Sequence, residues 1–192
     1  EPSTYRWSYS RPLGDCALVV VDSRAARELR PDGRSMLDEQ EMDWLDGVLR
    51  GGVRHLFIGT SLPFLLPPGL HDFEAMNEAM AQGSHGRRVA RAAERLRRRI
   101  DLEHWAAFNG GFDEVFDLVM QVARGERGAA PDTVTFLSGD VHNSYLAQVD
   151  DPALALNARA GHQQCGVGAV AVSGGDDALG IDARSEVAAH DE

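Results

Sequence analysis

Cys16-Ala-Leu-Val-Val-Val21 is a continuous apolar run of strand length, bounded by Gly14 and by Asp22-Ser-Arg24. A strand covered on both faces reads this way, because neither side of its pleat needs polar residues. A second strand is expected over residues 53–58, ending at Gly59-Thr-Ser61. Between the two, a helix is expected from Ser35, with Asp38 three residues on in the manner of a capping box. Leu37, Trp44, Leu45, Val48 and Leu49 then share one face, and Gly51-Gly52 stops the helix. Strand, helix, strand in this order is a βαβ-like unit, so a mixed or parallel sheet follows.

The remaining elements fit the same α/β class. The first ten residues read as an entry segment or a short edge strand. Residues 62–69 carry three prolines and form a loop too apolar to stand in water, packed under something as the wall of a cleft. Val89, Ala92, Ala93, Leu96 and Ile100 mark the apolar stripe of one helix. Its other face carries seven arginines between Arg87 and Arg99, read either as a solvated face or as an anion-attracting patch beside a site for phosphorylated substrates. Phe112, Val115, Phe116, Val119 and Val122 mark a further helix. Strands are expected over 133–138 and 145–149, and a last one is compatible with 167–172. The pattern divides the chain into a domain over 1–160 and a Gly/Ala-rich to acidic tail over 161–192.

With 192 residues, 43% hydrophobic and 26% charged, the chain suits one domain with a real core. Its net charge of −11 argues against general nucleic-acid binding. No apolar stretch reaches the roughly 18–20 residues of a membrane span, and the N-terminus lacks the layout of a signal peptide. Two cysteines do not make a disulfide scaffold; Cys16, opening an apolar strand, reads as a small core residue.

The chemistry concentrates where strands end. Thr133-Val-Thr-Phe-Leu-Ser-Gly-Asp-Val-His-Asn-Ser-Tyr145 closes a β run and at once presents Asp140 and His142. In open α/β sheets, ligands bind at such carboxyl ends. Asp22-Ser-Arg24 and Gly59-Thr-Ser61 occupy matching places. If their strands are neighbours, the three ends converge on one rim. Asp140 and Asp22 can offer oxygen to a divalent metal and His142 a ring nitrogen. His142 can alternatively protonate a leaving group, and Asp140–His142 can equally be a structural turn. Arg24 can pair with a phosphate or lock a neighbouring aspartate. His71, His85 and His104 read as surface or packed residues. The chain has no Gly-x-Ser-x-Gly elbow, no Gly-Lys-Ser/Thr phosphate loop, no Gly-x-Gly-x-x-Gly and no Cys-x-x-Cys pair.

Several segments together resemble one family. Val19-Val-Val-Asp-Ser-Arg24, Arg34-Ser-Met-Leu-Asp38 leading to Trp44-Leu45, Ile58-Gly-Thr-Ser61 and Phe136-Leu-Ser-Gly-Asp-Val-His-Asn-Ser-Tyr145 come in the order seen in PhoD-like (alkaline phosphatase D) metallophosphatases. His71-Asp-Phe-Glu-Ala-Met-Asn77 and Asp101-Leu-Glu-His-Trp-Ala-Ala-Phe108 look like an actinobacterial-type branch. The resemblance covers roughly residues 5–150. It implies a calcineurin-like metallophosphatase α/β/β sandwich, two or more metal ions (calcium, iron, manganese or zinc), and hydrolysis of small phosphomonoesters or phosphodiesters. By the same resemblance, Asp140 and His142 match the Gly-Asp-x-His site segment, and Asp22 and Arg24 the Asp-x-Arg strand end.

The family's Gly-Asp-Gln and Trp-Asp-Asp-His segments do not occur upstream, and the Ser-Pro-x-Arg-Asn-Pro-like continuation is missing after about Arg159. The expectation is therefore a C-terminal half of the domain that binds metal weakly. The activity then belongs to the whole domain, and this chain is active on its own only if its site is complete. The competing expectation is a non-catalytic remnant that self-associates through an exposed sheet edge. Localisation follows from the same question: cytoplasmic for a complete chain, exported if an N-terminal half precedes it.

Overall fold

A computed structural model describes residues 6–25, 27, 28, 34–83, 85–100, 104–139, 144–149 and 166–171. Strands β1 (Tyr9–Leu13), β2 (Cys16–Val21), β3 (His55–Thr60), β4 (Thr133–Ser138), β5 (Tyr145–Val149) and β6 (Gly166–Ala171) form one mixed sheet in the order β1-β2-β3-β4-β6-β5. The four inner strands are parallel, and β1 and β5 lie antiparallel at the edges. Helices α1 (Glu39–Val48), α2 (Pro68–Ala81), α3 (Arg87–Ile100) and α4 (Asn109–Ala123) complete a mixed α/β fold among the described residues. A short 3₁₀ turn, Trp105–Phe108, precedes α4. Strand β6, drawn from the stretch read as a tail, sits between β4 and β5.

Local chemistry moves several boundaries. Helix α1 begins at Glu39 rather than Ser35. Asp38 is itself the N-cap and accepts from the Glu41 N–H at 2.9 Å. Ser35 instead exchanges two backbone hydrogen bonds with Glu28. Strand β3 lies two residues later than expected, because Gly59 and Thr60 continue the ladder beside Val20 and Val21.

Among the described residues, strand β2 is covered on one face, against the expectation from its sequence. Val19 and Val21 are buried with Leu56, Ile58, Val134, Phe136, Val167 and Ala169 in a single core that includes the helices. Leu18 and Val20 point to the other side and remain half-exposed. Cys16 shares their parity, so it is half-exposed and outside the core.

The apolar loop after β3 packs into that core, with Leu62, Phe64 and Leu66 buried. Phe64 is fully buried and stacks on Phe136 at 4.1 Å between ring centroids and on Phe112 at 4.7 Å. The Tyr145 hydroxyl donates to the Leu65 carbonyl at 2.6 Å, and burial pushes its phenol pKa up. Helix α4 buries the face its pattern marks. Helix α3 departs from its pattern. Ala93 is buried, but Val89, Ala92 and Leu96 are exposed, because α3 packs chiefly on α2 alone. Arg34 ties these two helices to the body, with Nη1 3.1 Å from Glu78 and Nη2 3.2 Å from Glu94.

Candidate functional site

A cleft of about 530 Å³ opens at the carboxyl ends of β2, β3 and β4. These strands are adjacent and parallel, so the polar residues following each run meet on one rim, as the sequence suggests. Asp22 and Arg24 follow β2, Ser61 follows β3, and Ser138 closes β4; all four line the cleft. Asp140 and His142, two residues and more past β4, lie outside the described residues.

Asp22 is held in one orientation. Its Oδ1 accepts the backbone N–H groups of Arg24 at 3.0 Å and Ala25 at 2.8 Å, an Asx-type turn. Its own N–H donates to Ser8 Oγ at 2.7 Å. The second oxygen, Oδ2, is buried and has no hydrogen-bond partner among the described residues. A buried carboxylate oxygen without a donor is costly unless a cation or a donor reaches it.

Ser8 is placed by its neighbour Arg6, which grips the start of α1. Arg6 Nη1 donates to Asp38 Oδ1 at 2.8 Å and Nη2 to Gln40 Oε1 at 2.7 Å. The same segment lays Trp7 along the cleft. Nothing in the sequence signals Trp7, since its place depends on this clamp.

A chain of hydroxyls runs beneath the cleft. Trp105 Nε1 donates to Thr60 Oγ1 at 3.2 Å, Thr60 Oγ1 donates to Ser23 Oγ at 3.0 Å, and Ser23 Oγ lies 2.7 Å from Ser61 Oγ. An indole N–H can only donate. Thr60 therefore accepts from Trp105 and gives its proton to Ser23. Between Ser23 and Ser61 either hydroxyl can be the donor. The chain fixes the position of the Ser61 hydroxyl on the rim, where it can donate to or accept from a ligand.

The remaining sequence candidates are elsewhere. His104 Nδ1 is 2.8 Å from Glu74 Oε1, in a contact between the α3–α4 connection and α2. Trp105 is buried rather than facing the cleft. The α3 arginines do not line it. Cys16 sits at the opposite end of β2, where burial and the Asp15 carboxylate push its thiol pKa up. Among the described residues, no group of three or more His, Cys, Asp or Glu side chains is arranged to hold a metal ion. One metal-compatible donor is present there, Asp22 Oδ2. Among the described residues, no helix is long and apolar enough to cross a membrane. The chain matches no protein-family model, no curated protein and no solved structure.

Proposed function

We propose that the rim formed by β2, β3 and β4 is part of a metal-supported phosphoester hydrolase site of the PhoD-like kind. The observation that carries this reading is the buried Asp22 Oδ2, without a hydrogen-bond partner among the described residues, in a cleft that also presents Arg24 and the Ser61 hydroxyl. Anionic oxygen is the ligand such a cleft favours: a guanidinium and a hydroxyl can supply donors, and a cation on Asp22 would supply charge.

A divalent or trivalent ion would be held by Asp22 together with Asp140 and His142, and it would supply Lewis-acid polarisation of the phosphoryl group and activation of water. The protein's own part is positional. Arg24 neutralises and orients phosphate oxygens, Ser61 donates to one of them, and Trp7 shields one side from water. His142, if it follows β4 onto the rim, protonates the departing oxygen. The finer fold reading, an α/β/β sandwich, is supported by a sheet whose helices lie, among the described residues, on one face; a second sheet would pack on the other.

Hydrolysis of bis(p-nitrophenyl) phosphate and p-nitrophenyl phosphate, with manganese, calcium or iron, tests this. Turnover should depend on metal and fall at least 100-fold in His142→Ala and Asp22→Asn, in line with loss of a metal ligand or general acid. Turnover that resists chelation, or survives both substitutions, counts against it.

A further inference from the structure

A second cavity, of about 330 Å³, lies between the entry segment and the start of α1, lined by Arg6, Ser8, Gln40, Glu41 and Trp44. None of these residues lines the cleft at the strand ends. Glu41 sets the character of the cavity. The residue is 2% exposed, and its Oε1 is buried without a hydrogen-bond partner among the described residues. The other oxygen, Oε2, takes one long bond from Arg6 Nη1 at 3.3 Å. A carboxylate this buried needs donors on both oxygens, because each unmet one costs the desolvation of charge.

Arg6 does not meet that need. Its Nη1 and Nη2 each reach an oxygen of Asp38 at 2.8 Å, and Nη2 also donates to Gln40 Oε1 at 2.7 Å. The guanidinium is thus matched by Asp38 in a two-pronged pair, the stronger of its carboxylate contacts. One guanidinium facing both Asp38 and Glu41 leaves one negative charge over. Residues 1–5, which precede Arg6 in sequence, carry no basic side chain to offset it.

We infer that this cavity binds a small organic cation with N–H donors, a primary ammonium compound, seated on Glu41 Oε1. The donor set narrows the ligand. A metal ion needs several ligating atoms, and among the described residues no group of three or more His, Cys, Asp or Glu side chains is arranged for one. A quaternary ammonium has the charge but no hydrogen to give Oε1. A primary ammonium brings both. Trp44 adds an aromatic wall, a surface that attracts ammonium groups. Ser8 Oγ accepts from the Asp22 N–H at 2.7 Å, so its own O–H can donate to a ligand oxygen. An amino alcohol carries both complements. This site stands on Glu41 and apart from the phosphoester reading.

Calorimetric titration with ethanolamine tests the site, beside tetramethylammonium, ethylene glycol and the Glu41→Gln variant. Ethanolamine, with its few heavy atoms, should bind at neutral pH with a dissociation constant of about 1 mM or tighter. Tetramethylammonium should bind about tenfold more weakly or worse, and ethylene glycol not at all. Glu41→Gln keeps the shape, loses the charge and should weaken ethanolamine by about tenfold or more. Near-ultraviolet circular dichroism checks its fold; if that variant unfolds, the ranking of the three probes on the wild type decides. Glu39→Gln, at an exposed acid on the same helical turn outside the cavity lining, should leave binding unchanged. The proposal is overturned by no ethanolamine binding, by equal binding of tetramethylammonium, or by undiminished binding in folded Glu41→Gln. An equal loss in Glu39→Gln overturns it too, since general acidity of the helix start would then suffice.

Discussion

Asp22 and Ser61 divide the work of the rim between them. Asp22 spends one oxygen on its own turn and leaves the other buried, without a hydrogen-bond partner among the described residues. Ser61 is held in place through Ser23 by the hydrogen bonds that run from Trp105 and Thr60, which sets its hydroxyl on the rim of the cleft. Thr60→Val removes the centre of that chain and strands the Trp105 N–H. A cost of about 1–3 kcal/mol is expected in urea unfolding, the penalty for a buried donor without a partner. Ser61→Ala, at an exposed position, should leave stability within about 0.5 kcal/mol while weakening phosphate binding; unchanged binding would remove Ser61 from the site. The polar ends Asp22-Ser-Arg24 and Gly59-Thr-Ser61 were legible because they interrupt apolar runs. Trp105 was not, since its link to Thr60 spans 45 residues and exists only after packing.

At the scale of elements, two ion-pair clusters position the helices. The Asp38 cap carries competing influences. Burial pulls its carboxyl up, but the Arg6 guanidinium and the Glu41 N–H outweigh it and hold the pKa below 3.8. A carboxylate lowered in the folded state stabilises above its unfolded value, and the contribution is lost as pH falls through the folded value. Asp38→Ala should therefore cost about 1 kcal/mol at neutral pH. The gap to wild type should close as pH drops below about 4, read by denaturant titration at several pH values. A gap that widens in acid would contradict the assignment.

Arg34 is nearly buried between Glu78 and Glu94. Arg34→Leu leaves Glu78 without its partner, and a loss of about 3–5 kcal/mol is expected; thermal melting within two degrees of wild type would count against it. Sequence placed α1 four residues early because Ser35 and Asp38 are both good caps, and the bridge to Glu28 decides between them. The exposed side of α3 was hidden for a similar reason: its apolar periodicity says which residues share a face, not whether a neighbour covers it.

Among the described residues, the helices dress one side of the sheet. A six-residue apolar run such as β2 looks the same whether one face or both are covered. The parallel pairing of β2 with β3 was legible from the βαβ rhythm, and with it the meeting of their two polar ends. The place of β6 between β4 and β5 was not, nor was the apolar face left uncovered among the described residues. It matters for the cleft, whose apolar floor is drawn from that face.

The account rests on Asp22 Oδ2 being a cation ligand. Titration of the chain with manganese by calorimetry, beside Asp22→Asn, tests that directly. Binding at neutral pH that weakens at least tenfold in Asp22→Asn is the predicted result, in keeping with the cost of losing a ligand-sphere contact. No manganese binding, or equal binding in the variant, would contradict it.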